Sequence, residues 1–311
     1  MGSAVSVDIR APFVPDEAVE AAIEILRDID RRFSLYREDS ELGRLAAGSL
    51  READLSADVR WVLAACDDLA RTSGGAFDAR HHRADGIVDP SGLVKGWAVE
   101  EAARRLVAAG AANLYMALGG DIVTRGEAAP GVAWRVGVRH PEDGTRTAAV
   151  LALRDGAIAT SGLYERGEHI RDPRTGRVPH ELVSLTVVGP DLAWADAYAT
   201  TGFVMGIDGL AWIDDRPGYG ALAITAGREV LWTPEIDRFR LIDRAAGVDL
   251  SDDSQPAALS WGSVGPLGRS HRLPSPEPRR SRIRKSAGHG SGSRPGAASR
   301  PAPGWVRRPN A

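Results

Sequence analysis

Apolar residues recur along the chain at two spacings, one typical of helices and one typical of strands. A helical period runs over residues 15–33, and a second helix is predicted from a capping serine at position 56 to about residue 71. Further helices are predicted over residues 95–109 and 193–206, the latter capped by Asp191. Short apolar runs predict strands at residues 4–9, 113–118, 134–138, 148–153, 157–160, 182–188, 221–225 and 229–232.

These helices and strands interleave without a regular βαβ period. That order predicts an α+β fold, with a mixed sheet and packed helices, rather than a doubly wound parallel sheet. We expect one compact domain over residues 1–248. Residues 249–311 are rich in Pro, Ser, Gly and Arg and poor in large apolar side chains, which predicts a disordered tail.

Charge divides the chain in the same place. Residues 251–311 contain eleven Lys or Arg and three acidic residues, a net charge of +8. Because the whole chain has a net charge of −3, residues 1–250 have about −11. We expect no nucleic-acid partner for this acidic body, since an electrostatic attraction to phosphate would have to come from the tail.

The sequence also excludes some sites and locations. Cys66 is the only cysteine, so intramolecular disulfides are impossible, and its place on the apolar side of a helix predicts a core residue. We find no apolar run long enough to span a bilayer and no secretory signal at the start of the sequence, which predicts a cytoplasmic protein without a membrane segment of its own.

Two stretches contain groups that could carry chemistry. In VDPSGLVKGWAVEEAARRL, small residues and Lys95 stand at the start of a helix, where backbone amides and an ammonium favour phosphate; a tight turn into an amphipathic helix is the alternative. In AWADAYATTG, Asp196 and Thr200 are four residues apart and share a helix face, as ligands of a hard cation such as Mg²⁺ would. Thr200 could equally bond back to its own helix.

Seven short motifs follow one another over about residues 1–235: MGS, FSLYREDSELGRL, GGAFD, DPSGLVKGWAVE, ALGGDI, TSGLYERGEHIRDPRTG and SLTVVGPDLAWADAYATTGF. In this order they resemble the ApbE-type FAD:protein FMN transferases. The resemblance implies an α+β enzyme that uses Mg²⁺ and takes FAD as its substrate. It would attach FMN through a phosphoester to a Ser or Thr of an acceptor flavoprotein and release AMP.

The resemblance also implies roles for particular residues. Asp196 and Thr200 would be Mg²⁺ ligands, completed by the carbonyl of Gly92, and His169 would be the base that takes the proton from the acceptor hydroxyl. Thr160 and Ser161 would shape the loop or contact phosphate, and Asp121 would orient the site. The implied FAD-binding residues are Met1, Tyr36, Ala76, Phe77, Asp78, Asp89 and Lys95.

Two other functions remain open at this point. Water could replace the acceptor hydroxyl, which would make the protein an FAD pyrophosphatase that yields FMN and AMP. Alternatively, the protein could bind flavin without turnover. The presence of His169 together with Asp196 and Thr200 argues against simple binding, because binding requires no base.

Overall fold

The computed structural model describes residues 4–11, 13–81, 83, 85–140, 147–162 and 170–239, and the backbone of residues 306–307. Helices lie on one face of a central sheet, and a two-stranded ribbon covers part of the other face. This arrangement confirms the predicted α+β class. The described helices are α1 (Asp16–Phe33), α2 (Glu41–Ala46), α3 (Ala57–Thr72), α4 (Ser91–Ala108), α5 (Leu192–Met205) and α6 (Asp208–Asp214).

The central sheet has the strand order β1-β2-β3-β6-β7-β8-β9-β10, and the pairs from β1 to β9 are antiparallel. The ribbon pairs β4 with β5. The strands are β1 (Val5–Ile9), β2 (Leu114–Leu118), β3 (Asp121–Arg125), β4 (Trp134–Arg139), β5 (Thr147–Leu153), β6 (Gly156–Gly162), β7 (Leu182–Gly189), β8 (Gly220–Thr225), β9 (Glu229–Trp232) and β10 (Val306–Arg307).

Alternation along the strands creates two apolar cores. In β6, Ala157 and Ala159 face the helices, whereas Ile158 between them faces the ribbon. Successive side chains of a strand point to opposite faces, so a sheet covered on both sides has apolar residues at almost every position. Strand β8 shows the result, since all six of its residues are buried.

The structure corrects the sequence-based elements at several places, among them helix α6, which was not predicted. The segment around residue 41, where no helix was predicted, contains α2, and the Ser40 hydroxyl accepts a hydrogen bond from the Gly43 amide at 2.8 Å. Strand β3 was not predicted; it follows directly after a tight Gly119–Gly120 turn. Helix α4 begins at Ser91, four residues before the predicted start at Lys95, because Asp89 and Pro90 open it.

The two predicted caps behave differently. The Asp191 carboxylate accepts hydrogen bonds from the amides of Ala193 and Trp194 at 2.9 and 3.4 Å, as predicted for the start of α5. Ser56 stands at the N-cap position of α3, but its hydroxyl makes no capping bond. The Ser56 hydroxyl instead lies 3.5 Å from the guanidinium of Arg32.

The predicted tail from residue 249 onward lies outside the described residues, except for Val306–Arg307, whose backbone pairs in parallel with Glu229 and Val230 of β9. None of the described helices combines the length and the apolar character that a membrane crossing requires. Cys66 is buried against the core, as predicted, and burial raises the pKa of its thiol to about 12.

Helices α4 and α5 are joined to β3 by a buried carboxylate. The Glu100 side chain, 2% exposed, forms an ion pair with the Arg125 guanidinium and accepts a hydrogen bond from the Leu192 amide at 3.1 Å. Burial raises the pKa of Glu100 above its ordinary value, and the Arg125 charge acts in the opposite direction. One carboxylate thus connects the middle of α4, the start of α5 and the end of β3.

Replacement of this carboxylate tests its structural role. Glu100→Ala is expected to lower the free energy of unfolding by about 3 kcal/mol, because it leaves the Arg125 charge and the Leu192 amide without this partner. Chemical denaturation measures the change. Glu101→Ala is the matched control. Glu101 forms an ion pair with Arg104 and is more exposed than Glu100, so we expect the free energy of unfolding to fall by less than about 1 kcal/mol. Equal effects of the two replacements would contradict the role of Glu100.

Candidate flavin and cation site

The site begins at the loop that enters α4. The Asp89 amide donates to the Ala79 carbonyl at 2.7 Å, and the Asp89 carboxylate accepts from the Ser91 amide at 3.0 Å. The amides of Leu93 and Val94 both donate to the Pro90 carbonyl, at 2.9 and 3.0 Å. Most amides of this first turn therefore already have acceptors. The sequence suggested that free helix amides and Lys95 could bind phosphate, and these hydrogen bonds favour the Lys95 ammonium.

Helices α4 and α5 cross at their closest point at Gly96. A Cβ atom built on Gly96 would lie 2.3 Å from the Leu192 carbonyl oxygen and 2.9 Å from the Asp196 Cβ, so only glycine fits there. The Gly96 amide donates to Asp196 Oδ2 at 3.1 Å. In a regular helix the Gly96 amide would donate to the Gly92 carbonyl. Because Asp196 also accepts from this amide, the Gly92 carbonyl is better able to accept another partner.

Lys95 joins two buried carboxylates at this crossing. Its Nζ atom lies 2.6 Å from Asp121 Oδ2 and 3.8 Å from Asp196 Oδ1. The Asp121 side chain is fully buried and that of Asp196 is 6% exposed, whereas the Lys95 side chain is 24% exposed. Asp121 reaches this place because the Gly119–Gly120 turn, with Gly119 at φ 64°, folds β3 back along β2. That Asp121 orients the site stays a prediction, and the sequence did not indicate its contact with Lys95.

Thr200 lies one helical turn beyond Asp196, and its hydroxyl is 3.2 Å from the Ser161 hydroxyl at the end of β6. A Cβ built on Gly92 would be 3.5 Å from the Thr200 hydroxyl oxygen and 3.0 Å from the Phe77 ring. The structure thus brings Gly92, Asp196 and Thr200, predicted as metal ligands, to one place. Hydrogen bonding of Thr200 to its own helix was the alternative; its neighbour Thr201 makes such a bond, to the Ala197 carbonyl at 2.7 Å.

Of the predicted flavin residues, Phe77 lies against Gly92, in the turn that follows α3. Ala76 and Phe77 are buried in the turn after α3, where the Phe77 amide donates to the Ser73 hydroxyl at 3.1 Å. Tyr36, after α1, is 99% exposed. The Tyr36 amide donates to the Ser34 hydroxyl at 3.3 Å.

Asp78 organises its own loop. Its Oδ1 atom accepts hydrogen bonds from the amides of Arg80 and His81, at 2.8 and 3.0 Å, and Oδ2 lies 2.9 Å from the His81 ring. Burial raises the pKa of the Asp78 carboxyl, but the hydrogen bonds from His81 and Arg80 outweigh burial and hold this pKa below its ordinary value. The carboxylate is therefore ionised at neutral pH.

Two predicted site residues, Met1 and His169, lie outside the described residues. The turn that follows His169 is described. In it, Asp172 binds the Arg174 guanidinium at 2.8 and 3.0 Å, and the Arg174 Cγ lies 3.5 Å from a Cβ built on Gly75. This turn therefore packs beside the turn that contains Ala76 and Phe77.

The donor set suits a hard divalent cation. Carboxylate, hydroxyl and carbonyl oxygens are the ligands that Mg²⁺ prefers, and Asp196, Thr200 and Gly92 offer one of each. Within the described part of the chain, no group of three or more His, Cys, Asp and Glu side chains is arranged to hold a metal ion. A cation here would therefore need ligands from water or from a bound phosphate, as is usual for Mg²⁺.

Comparison with known proteins shows the family to which the chain belongs. The family model "ApbE family" matches residues 1–85 and 79–223, which is most of the chain. The protein belongs to the ApbE family. The fold agrees: the structure titled "Flavin Transferase ApbE from Vibrio cholerae" superposes with a TM-score of 0.69 at 24% identity, over 77% of this chain and 96% of that one.

Two sequence relatives of this ApbE-family chain are named FAD:protein FMN transferase. The protein of Salmonella typhimurium is 31% identical over 173 residues, which cover 51% of this chain and 49% of the relative. The protein of Haemophilus influenzae is 28% identical over 254 residues, which cover 62% of this chain and 72% of the relative. The chain thus spans about half the length of the first relative and somewhat more of the second.

The helix crossing generates a prediction about assembly of the site. Gly96→Ala should push α4 and α5 apart, because the new methyl group meets a backbone carbonyl, and should lower the free energy of unfolding by about 3 kcal/mol. Chemical denaturation checks this. Gly227→Ala is the control, since a Cβ there would make only an ordinary contact, 3.7 Å from the Thr225 hydroxyl. A Gly96→Ala protein as stable as the Gly227→Ala protein would refute the close crossing.

Proposed function

We propose that this ApbE-family protein transfers FMN from FAD to a Ser or Thr hydroxyl of an acceptor protein, with Mg²⁺ as its cofactor. The observation that carries the proposal is the meeting of the Lys95 ammonium with the oxygens of Gly92, Asp196 and Thr200 at the α4–α5 crossing. That combination suits a pyrophosphate and a hard cation. The names of the two sequence relatives support the same reaction.

In the proposed reaction, the acceptor oxygen attacks the phosphorus atom of the FMN half of FAD. The bond between that phosphorus and the bridging oxygen of the pyrophosphate breaks, and AMP leaves with the bridging oxygen. The hydroxyl proton passes to His169. When bound, Mg²⁺ would offset the negative charge of the pyrophosphate oxygens.

Different residues of this chain would hold the cation, the phosphate and the flavin. Asp196, Thr200 and the Gly92 carbonyl would hold the cation, and Lys95 would bind a phosphate oxygen as a mobile point charge. Phe77 and Ala76 would border the flavin half of the substrate, with Tyr36 and Met1 at its edge. Asp89 and Asp78 fix the loop between them through their bonds to Ser91, Arg80 and His81. Ser161 would keep the Thr200 hydroxyl oriented.

Incubation with FAD and Mg²⁺, followed by an assay for AMP, separates the three candidate functions. AMP that is released only with an acceptor protein, together with an acceptor that gains the mass of FMN, supports transfer. AMP and free FMN without an acceptor would make the protein an FAD pyrophosphatase. FAD binding without AMP under both conditions would make it a flavin-binding protein.

Asp196→Asn tests the cation ligands. The replacement keeps the size of the side chain but removes its charge, so activity should fall steeply and recover in part at high Mg²⁺ concentration. Thr200→Val should act in the same direction. The control is Thr201→Val on the same helix, because that hydroxyl donates to the Ala197 carbonyl of its own helix. Mg²⁺ dependence that is unchanged in Asp196→Asn and Thr200→Val would place the cation elsewhere.

His169→Ala tests the proposed base. Its loss should slow single-turnover FMN transfer by about 10²–10⁴-fold, while FAD affinity changes little. The wild-type rate should also fall on acidification through a pKa of about 6.5, the ordinary value of imidazole, and this dependence should disappear in the variant. His180→Ala, an exposed histidine of the same segment, is the control. A normal single-turnover rate in His169→Ala would exclude His169 as the base.

A further inference from the structure

The chain uses lysine almost nowhere. Of its 39 Lys and Arg residues only Lys95 and Lys285 are lysines, and Lys285 belongs to the predicted tail. All other basic residues of the folded domain are arginines, and the many ion pairs of its surface are made by them. The single lysine of the domain stands between two buried carboxylates, beside the proposed cation ligands.

This choice of residue has a physical reason. An ammonium is a compact point charge on a flexible stem, whereas a guanidinium is a wide planar fork. The Lys95 ammonium lies 2.6 Å from Asp121 but 3.8 Å from Asp196, so it is anchored on the first carboxylate and lies near the second. The second carboxylate is the one proposed to bind the divalent cation.

We propose that Lys95 is a built-in counter-cation that balances the Asp196 charge when no divalent cation is bound, and that Asp121 is the positioning residue that anchors it. The inference rests on the cation site of the proposed function. When a divalent cation binds Asp196, the Lys95 ammonium keeps its ion pair with Asp121 and is available to the phosphate of FAD. Lys95 and the divalent cation thus compete for Asp196. The ion pair with Asp121 makes Lys95 the weaker competitor.

The geometry supports this division between the two carboxylates. Asp196 has one oxygen held by the Gly96 amide at 3.1 Å and presents the other, Oδ1, toward Lys95. Asp121 is completely buried at the start of β3, away from solvent from which a cation would enter. Lys95 is the most exposed of the three side chains, so it can move without opening the core.

The test is binding of Mn²⁺ to the full chain without flavin, measured from the electron paramagnetic resonance signal of the free ion. Lys95→Met should bind Mn²⁺ about tenfold to hundredfold more tightly than the wild type, because a positive charge a few ångströms from the ion is removed. Unchanged or weaker binding by a folded Lys95→Met protein would overturn the inference. If neither protein binds Mn²⁺, the cation site itself is refuted, and with it the metal dependence of the proposed function.

Asp121 is tested by a double-mutant cycle. Asp121→Asn should weaken Mn²⁺ binding about tenfold in the wild-type background, because Lys95 loses its anchor and moves onto Asp196. In the Lys95→Met background the same replacement should have a clearly smaller effect. Equal weakening in both backgrounds would make Asp121 a direct ligand and overturn its role as an anchor. The double variant Lys95→Met/Asp121→Asn removes both charges of this ion pair together, so a comparison with wild type remains possible if Lys95→Met alone does not fold.

Discussion

The close crossing of α4 and α5 at Gly96 is the constraint on which the rest of the site depends. With no side chain at this position, the Leu192 carbonyl and Asp196 come against the backbone of α4, and the Gly96 amide binds the Asp196 carboxylate directly. A larger residue would separate the helices and remove this bond. The position of the proposed metal ligand is therefore set by helix packing rather than by a flexible loop, which is how a site keeps its geometry.

Two clusters of charge bind α4 to the same two neighbours. Near its start, Lys95 contacts Asp121 of β3 and lies near Asp196 of α5; five residues later, Glu100 contacts Arg125 of β3 and the Leu192 amide of α5. The contacts show that α4 runs along β3 and opposite to α5. The carboxylate of the Glu100 cluster is bound by groups of the protein itself, so this cluster has a structural role. The Lys95 cluster lies beside Thr200, Gly92 and Phe77, where a substrate and a cation can complete it.

Most of the fold was predictable because its elements carry strong local patterns. The long helices and the strands of β6 to β9 follow clear apolar periods, and Asp191 caps α5 as its position predicted. The errors fall where the local pattern is weak: α2 is a short helix that Ser40 caps, and β3 is a short strand that follows the Gly119–Gly120 turn and pairs with β2 and β6. The candidate site was found through motif order, and the structure brought its described members together. The Lys95–Asp121 contact joins residues 26 positions apart in different elements, so no local pattern could indicate it.

A crystal structure of the protein with FAD and Mn²⁺ tests the central claim most directly, because anomalous scattering locates the metal independently of the fold. The account predicts an anomalous peak at about 2.0–2.4 Å from oxygens of Asp196 and Thr200, with the pyrophosphate of FAD within reach of Lys95 and the flavin ring beside Phe77. A metal bound away from the α4–α5 crossing, or FAD bound outside it, would contradict the account.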